Sequence, residues 1–116
     1  MSVERKRRDL PVTLYRILLY LSRMRDRGGE TRRLMRIERA TGIDRKELRN
    51  HLKVLSDAGY LEAEISGIGR GGHEVRIYSV SESGRMLREN LARIVDICIH
   101  LGYYKDDVLF LPSDDL

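Results

Sequence analysis

The apolar positions of this 116-residue chain keep one period for a stretch and then change it, and each change marks an element. From residue 11 to 26, Leu14, Ile17, Leu18, Leu21 and Met24 recur at the 3.6-residue period of a helix. Pro11 suits its first turn, and Gly28 and Gly29 end it. Tyr15 and Leu19 widen the stripe beyond the needs of one small core, which predicts a second contact, with another subunit. A shorter helix is predicted over 32–41, with Thr31 as its cap, Leu34 and Ile37 facing inward, and Ala40 allowing a close approach to the next helix. Gly42 supplies a tight turn, and a third helix is predicted over 44–58.

That third helix carries its own boundaries. Asp44 is the expected N-cap, and Glu47 three residues on completes a capping box. Ile43 and Leu48 form the expected hydrophobic staple, and Gly59 suits the left-handed residue that stops a helix. Leu48, Leu52 and Leu55 share one face, while Lys46, Asn50 and Lys53 point the other way with Arg49 beside them. Helix, short glycine turn and helix together read as a helix-turn-helix.

The period then falls to two. Leu61, Glu62, Ala63, Glu64 and Ile65 alternate as a strand. Gly67, Gly69, Gly71 and Gly72 make a flexible tip carrying Arg70, and residues 73–80 return with Val75, Ile77, Tyr78 and Val80. The two strands predict a β-hairpin, in which Arg76 is expected to pair across the strands with Glu62 or Glu64. A last helix is predicted over 82–101, about 30 Å long at 1.5 Å per residue, with Ser81 as cap. Leu87, Leu91, Ile94, Cys98 and Leu101 stand at alternating steps of four and three, the spacing of a coiled-coil seam, and Val95 and Ile97 broaden it. A second copy of the helix is the expected cover. The alternative is that the tail, with Val108, Leu109, Phe110 and Leu111, folds back over it.

Composition narrows the class. Hydrophobic content of 41% supports a core, and aromatic content of 6% makes that core aliphatic. No apolar run reaches the roughly 20 residues that span a bilayer, so a soluble, cytoplasmic protein with no membrane partner is expected. Residues 1–60 hold 16 Lys and Arg against 8 Asp and Glu, a net of +8, and residues 61–116 hold 6 against 10, a net of −4. A basic front half suits a polyanion, although a charged surface of no special purpose has the same composition. Arg makes up 18 of the 22 cations, a bias that suits bidentate contacts to phosphate and guanine and that genome composition or heat adaptation also produces. Arg5, Lys6, Arg7 and Arg8 predict a basic arm, either following phosphates or merely solubilising the terminus.

Other motifs carry less. Gly67, Gly69 and Gly72 match G-x-G-x-x-G, but a strand follows where a dinucleotide site needs a helix. Cys98 and His100 diverge by about 200° on a helix, so they do not share a metal within one chain. A single Cys also excludes an intrachain disulfide, leaving burial in the seam or an interchain bond. His51 reads as structural. No catalytic triad, carboxylate pair or phosphate loop emerges, so we expect a non-enzyme without metal or cofactor.

Three stretches together resemble the winged helix-turn-helix transcription regulators, over roughly residues 12–101. Thr41-Gly42-Ile43-Asp44 looks like the family's turn. Leu52, Leu55, Ala58, Gly59, Tyr60 and Leu61 look like its helix ending, and Arg76 to Ser81 with Gly84 looks like its wing-to-helix passage. The trailing helix is similar to the MarR and PadR groups and to small archaeal winged-helix DNA-binding proteins. The resemblance implies an α+β, mainly α fold: a three-helix core, a two-stranded β wing and a long C-terminal dimerisation helix. It divides the chain into a flexible basic arm (1–10), a DNA-binding domain (11–81), a dimerisation helix (82–101) and an acidic, apolar tail (102–116). It also implies DNA contacts by Arg45, Lys46, Arg49, Asn50 and Lys53 in the major groove and by Arg70 on the wing (66–73) near the minor groove. Arg32, Arg33 and Arg36 would touch the backbone, and Leu87, Leu91, Ile94, Cys98 and Leu101 would form the dimer interface. Arg49 and Asn50 have the chemistry to read guanine and adenine. The expected activity is transcription regulation by a homodimer on double-stranded DNA, with any small-molecule effector unknown. An architectural protein that coats DNA and a protein-interaction module are the alternatives.

Overall fold

In a computed structural model of the chain, residues 10–115 are described. The fold is α+β and mainly helical. Its elements run α1 (Leu10–Arg23), α2 (Leu34–Thr41), α3 (Arg45–Asp57), β1 (Leu61–Ile68), β2 (Glu74–Val80) and α4 (Glu82–His100), with short 3-10 turns at Gly29–Arg32, Arg70–Gly72, Asp106–Leu109 and Pro112–Asp115. Arg5, Lys6, Arg7 and Arg8, the expected basic arm, lie outside the described residues. Among the described residues, no helix is long and apolar enough to cross a membrane.

α1 is the centre of the core. Ile17, Leu18 and Leu21 are fully buried, and Tyr15 and Leu19 are buried with them. The width of the α1 stripe therefore needs no second subunit, contrary to the expectation from sequence: α4 and the turn after it pack against α1 within this chain.

α2 starts later than its sequence suggests. Thr31 does not cap it, because the Thr31 hydroxyl donates to the Gly28 carbonyl at 2.7 Å inside a 3-10 turn. The Tyr20 hydroxyl donates to the Thr31 carbonyl at 2.6 Å and ties that turn to α1. Between α2 and α3, the Gly42 amide donates to the Glu38 carbonyl at 2.9 Å, and the buried Thr41 hydroxyl donates to the Ile37 carbonyl at 2.7 Å.

α3 begins where the sequence indicates. The Asp44 carboxylate accepts from the Lys46 amide at 3.2 Å. Glu47 does not complete a capping box: its carboxylate lies 3.4 Å from His51 Nε2 along the helix. Ile43, Leu48, Leu52 and Leu55 are all buried. At the other end Gly59 takes φ +85°, and the Tyr60 and Gly59 amides donate to the Leu55 and Ser56 carbonyls at 2.9 and 3.1 Å. This pair of bonds is a Schellman stop, and its left-handed residue is the reason for a glycine there.

β1 and β2 pair antiparallel from Leu61↔Val80 to Ile68↔Glu74, with a bulge between Ile65 and Gly67. Ile65 stands opposite Arg76 in this register, so the cross-strand pairing of Arg76 with Glu62 or Glu64 does not form. Its guanidinium lies 3.9 Å from Glu74 on its own strand instead.

α4 is capped by Ser81, whose hydroxyl accepts from the Gly84 amide at 3.1 Å. Its predicted seam is divided between two faces. Leu91 and Val95 are buried in the chain's own core, and Leu87 packs against that core. Leu91 is thus covered within the chain and is not left open for a partner. Cys98 is half-buried, whereas Ile94, Ile97 and Leu101 stay 48, 57 and 65% exposed. The tail supplies part of the cover. Leu111 is 2% exposed and joins the core, and Asp114 pairs with Arg23 on α1 at 3.0 Å.

Candidate functional site

α2, α3 and the hairpin enclose an open cleft of about 1260 Å³. Its lining is cationic because three elements each contribute. α2 and the residue before it supply Arg33, Arg36 and Arg39, α3 supplies Arg49 and Lys53, and β2 supplies Arg76. Against these six cations stand Glu30, Asp57 and Glu74, so the cleft is net +3. Lys53 is 2.6 Å from Asp57 one helical turn on, and both side chains are largely exposed. Such a surface pair contributes about 0.3–0.5 kcal/mol, so Lys53 can exchange Asp57 for a stronger anion.

The backbone places these groups deliberately. Leu48, Leu52 and Leu55 turn one side of α3 into the core, which leaves Lys46, Arg49, Asn50 and Lys53 exposed on the rest of its surface. A helix with exposed amide and guanidinium groups presents both hydrogen-bond donors and charge to whatever approaches. Arg45 is also exposed but engaged: its guanidinium donates to Glu38 at 3.0 Å, closing the α2–α3 turn from outside. Arg70 stands exposed in the turn at the tip of the hairpin.

Arg32 departs from its expected place. It lies on the 3-10 turn before α2, half-buried, and its guanidinium donates to the Ser79 hydroxyl of β2. It anchors the hairpin to the body and is not among the residues that line the cleft. Arg33 and Arg36 do line it. Arg39, Arg76 and His73 line it too, although the sequence pattern assigns none of them to a binding site. The signal for Arg39 was present: Arg33, Arg36 and Arg39 follow at three-residue steps, which share a helix face. Arg36 also has an inward influence, since burial pushes the Tyr20 hydroxyl above its ordinary range and the Arg36 charge pulls weakly against that.

A smaller cavity of about 390 Å³ lies behind the start of α3, lined by Arg16 together with Asp44 and Glu47. Its mixed charge separates it from the cationic cleft. Among the described residues, no three His, Cys, Asp or Glu side chains gather as a metal site would require. His100 turns back to the Asp96 carbonyl at 2.8 Å.

Comparison of the chain with family models, with curated proteins and with solved structures finds no match.

Proposed function

We propose that this protein is a winged helix-turn-helix regulator that binds double-stranded DNA as a homodimer. In this reading α3 enters the major groove and the hairpin lies near the adjacent minor groove. The observation that carries it is the convergence of six cations from α2, α3 and β2 on one cleft, beside the exposed Lys46 and Asn50. A helix is about 10–12 Å across with its side chains, and the major groove is about 12 Å wide, so α3 fits with its cationic side turned into the groove. Arg49 and Asn50 supply bidentate geometry for base edges, and Lys46, Lys53 and the α2 arginines supply charge for phosphates.

The exposed Ile94, Ile97 and Leu101 on α4 support the dimeric part of the reading, since three neighbouring aliphatic side chains gain by leaving water. A dimer predicts two half-sites about one helical turn apart. Selection from random duplexes, run with a size measurement of the complex, tests both parts. Arg49→Ala should then cost about 1–3 kcal/mol on the selected site and relax its sequence preference. Unchanged affinity and preference would remove α3 from the groove. A ratio near one between selected and random DNA would favour an architectural coating protein, since a sequence-specific binder prefers its site by about 10³-fold or more.

A further inference from the structure

We infer that the tip of the hairpin is a wedge: Ile68 enters the minor groove of bound DNA, opens a base step and bends the duplex. The inference rests on the DNA-binding reading above and adds a mechanical action to it.

The hairpin register puts Leu61, Ala63, Ile65 and, past the bulge, Ile68 opposite Val80, Tyr78, Arg76 and Glu74, so these residues share one face of the sheet. At the base of the hairpin that face is core: Leu61 is buried, and Tyr78 and Val80 pack against it. Further out the body ends and the apolar strip continues uncovered. Ile65 is 58% exposed, and Ile68 at 76% is the most exposed of the large aliphatic residues described. Ile68 is branched at Cβ, so the projecting group is stiff and holds its direction.

The charges around it select the partner. Arg70 follows in the tip turn, and Arg76 lies on the same face, one pair inward from the bulge. Glu74, opposite Ile68, is the nearest carboxylate on that face, and the Arg76 guanidinium 3.9 Å away offsets it. Glu62 and Glu64 alternate onto the other face. With Glu74 and Arg76 offsetting each other, an apolar point followed two residues on by the exposed Arg70 guanidinium matches a surface with deoxyribose walls beside a row of phosphates, which is a minor groove. The groove is about 6 Å wide, so the Ile68 side chain at the tip enters it and not the body of the hairpin, and Gly67, Gly69, Gly71 and Gly72 add no side chains beside it. Inserted aliphatic side chains of this kind partly unstack a base step and kink the duplex by roughly 20–90°.

The test uses the full chain and a short duplex with dyes at both ends and 2-aminopurine at a central thymine–adenine step. The wild-type protein should raise energy transfer between the ends and raise 2-aminopurine emission. Ile68→Ser should lose both signals and keep the salt dependence of binding, and Ile68→Phe should keep both. Because Ile68 is exposed, Ile68→Ser should melt at the wild-type temperature. Binding without bending, or equal bending by Ile68→Ser, overturns the wedge and leaves the DNA reading standing. Failure of the wild-type protein to bind any duplex at low salt overturns both. Self-association in free solution that Ile68→Ser abolishes would assign the strip to a second copy of the chain and overturn the wedge.

Discussion

The Ser81 hydroxyl donates to the Gly59 carbonyl at 2.7 Å, joining the start of α4 to the residue that stops α3. The Ser81 amide adds a bond to the Tyr60 carbonyl at 3.2 Å, and the same hydroxyl caps α4 through the Gly84 amide. One side chain therefore sets the angle between the cation-bearing helix and the long helix. Ser81→Ala should cost about 1–2 kcal/mol, since losing a cap alone removes about 0.5–2. Thermal melting would register this as a fall of roughly 4 °C per kcal/mol for a domain of this size. Ser81→Thr should recover most of it, and an unchanged melting temperature for Ser81→Ala would show that the junction holds without the hydroxyl.

Leu111 reaches the core from well beyond α4. Truncating a fully buried leucine to alanine costs about 2–5 kcal/mol through lost transfer energy and the cavity left behind. Leu111→Ala should lie in that range by urea denaturation. It should also raise amide exchange in α2, because the Pro112–Asp115 turn rests on that helix. A loss below about 1 kcal/mol would mean that the tail is dispensable to the core.

Asp114 makes the tail sensitive to acid. The Leu111 amide donates to its carboxylate at 2.9 Å and, with Arg23 assisting, holds it below the ordinary carboxylate range. A carboxyl with a depressed folded-state pKa stabilises the fold above its ordinary value, and that contribution is lost as pH falls through the folded value. Wild type should therefore be more stable than Asp114→Asn at neutral pH. The difference should shrink once pH drops below the ordinary value of 3.8, as measured by melting over pH 2–7. A difference that stays constant across this span would exclude the carboxylate as its source.

Arg32 and Lys53 should behave oppositely. On the DNA-binding reading, Lys53→Ala should weaken binding evenly across sequences and lower the salt slope by about one, with a stability loss of no more than about 0.5 kcal/mol from its pair with Asp57. Arg32→Ala should leave the salt slope alone and lower the melting temperature, because its guanidinium holds Ser79 and the hairpin. Equal effects of the two on the salt slope would return Arg32 to the binding surface.

What could be read from the chain follows the range of each interaction. α3 was legible to within a residue because its start at Asp44 and its stop at Gly59 are made by residues within five positions of each other's ends. Ser81 was legible for the same reason. The start of α2 was not, because Gly29–Arg32 fold into a 3-10 turn that takes the Thr31 hydroxyl and is tied to Tyr20, 11 positions earlier, through the Thr31 carbonyl. Arg76 was misassigned because the pairing depends on the register of the whole hairpin, which local spacing does not encode. The seam of α4 was half legible. Leu87 and Leu91 turn to the core as their spacing indicates while Ile94 stays exposed, because which flank of the helix is covered depends on Leu111 and α1, far along the chain. The cationic side of α3 could be drawn on a helical wheel. Arg39 could be drawn on the α2 wheel in the same way, whereas Arg76 joins the cleft only through the folding of the hairpin.

The place of Leu111 in the core bears on synthesis as much as on stability. A chain that has made all four helices still lacks this side chain, so any folding before it is in place leaves an aliphatic site unfilled.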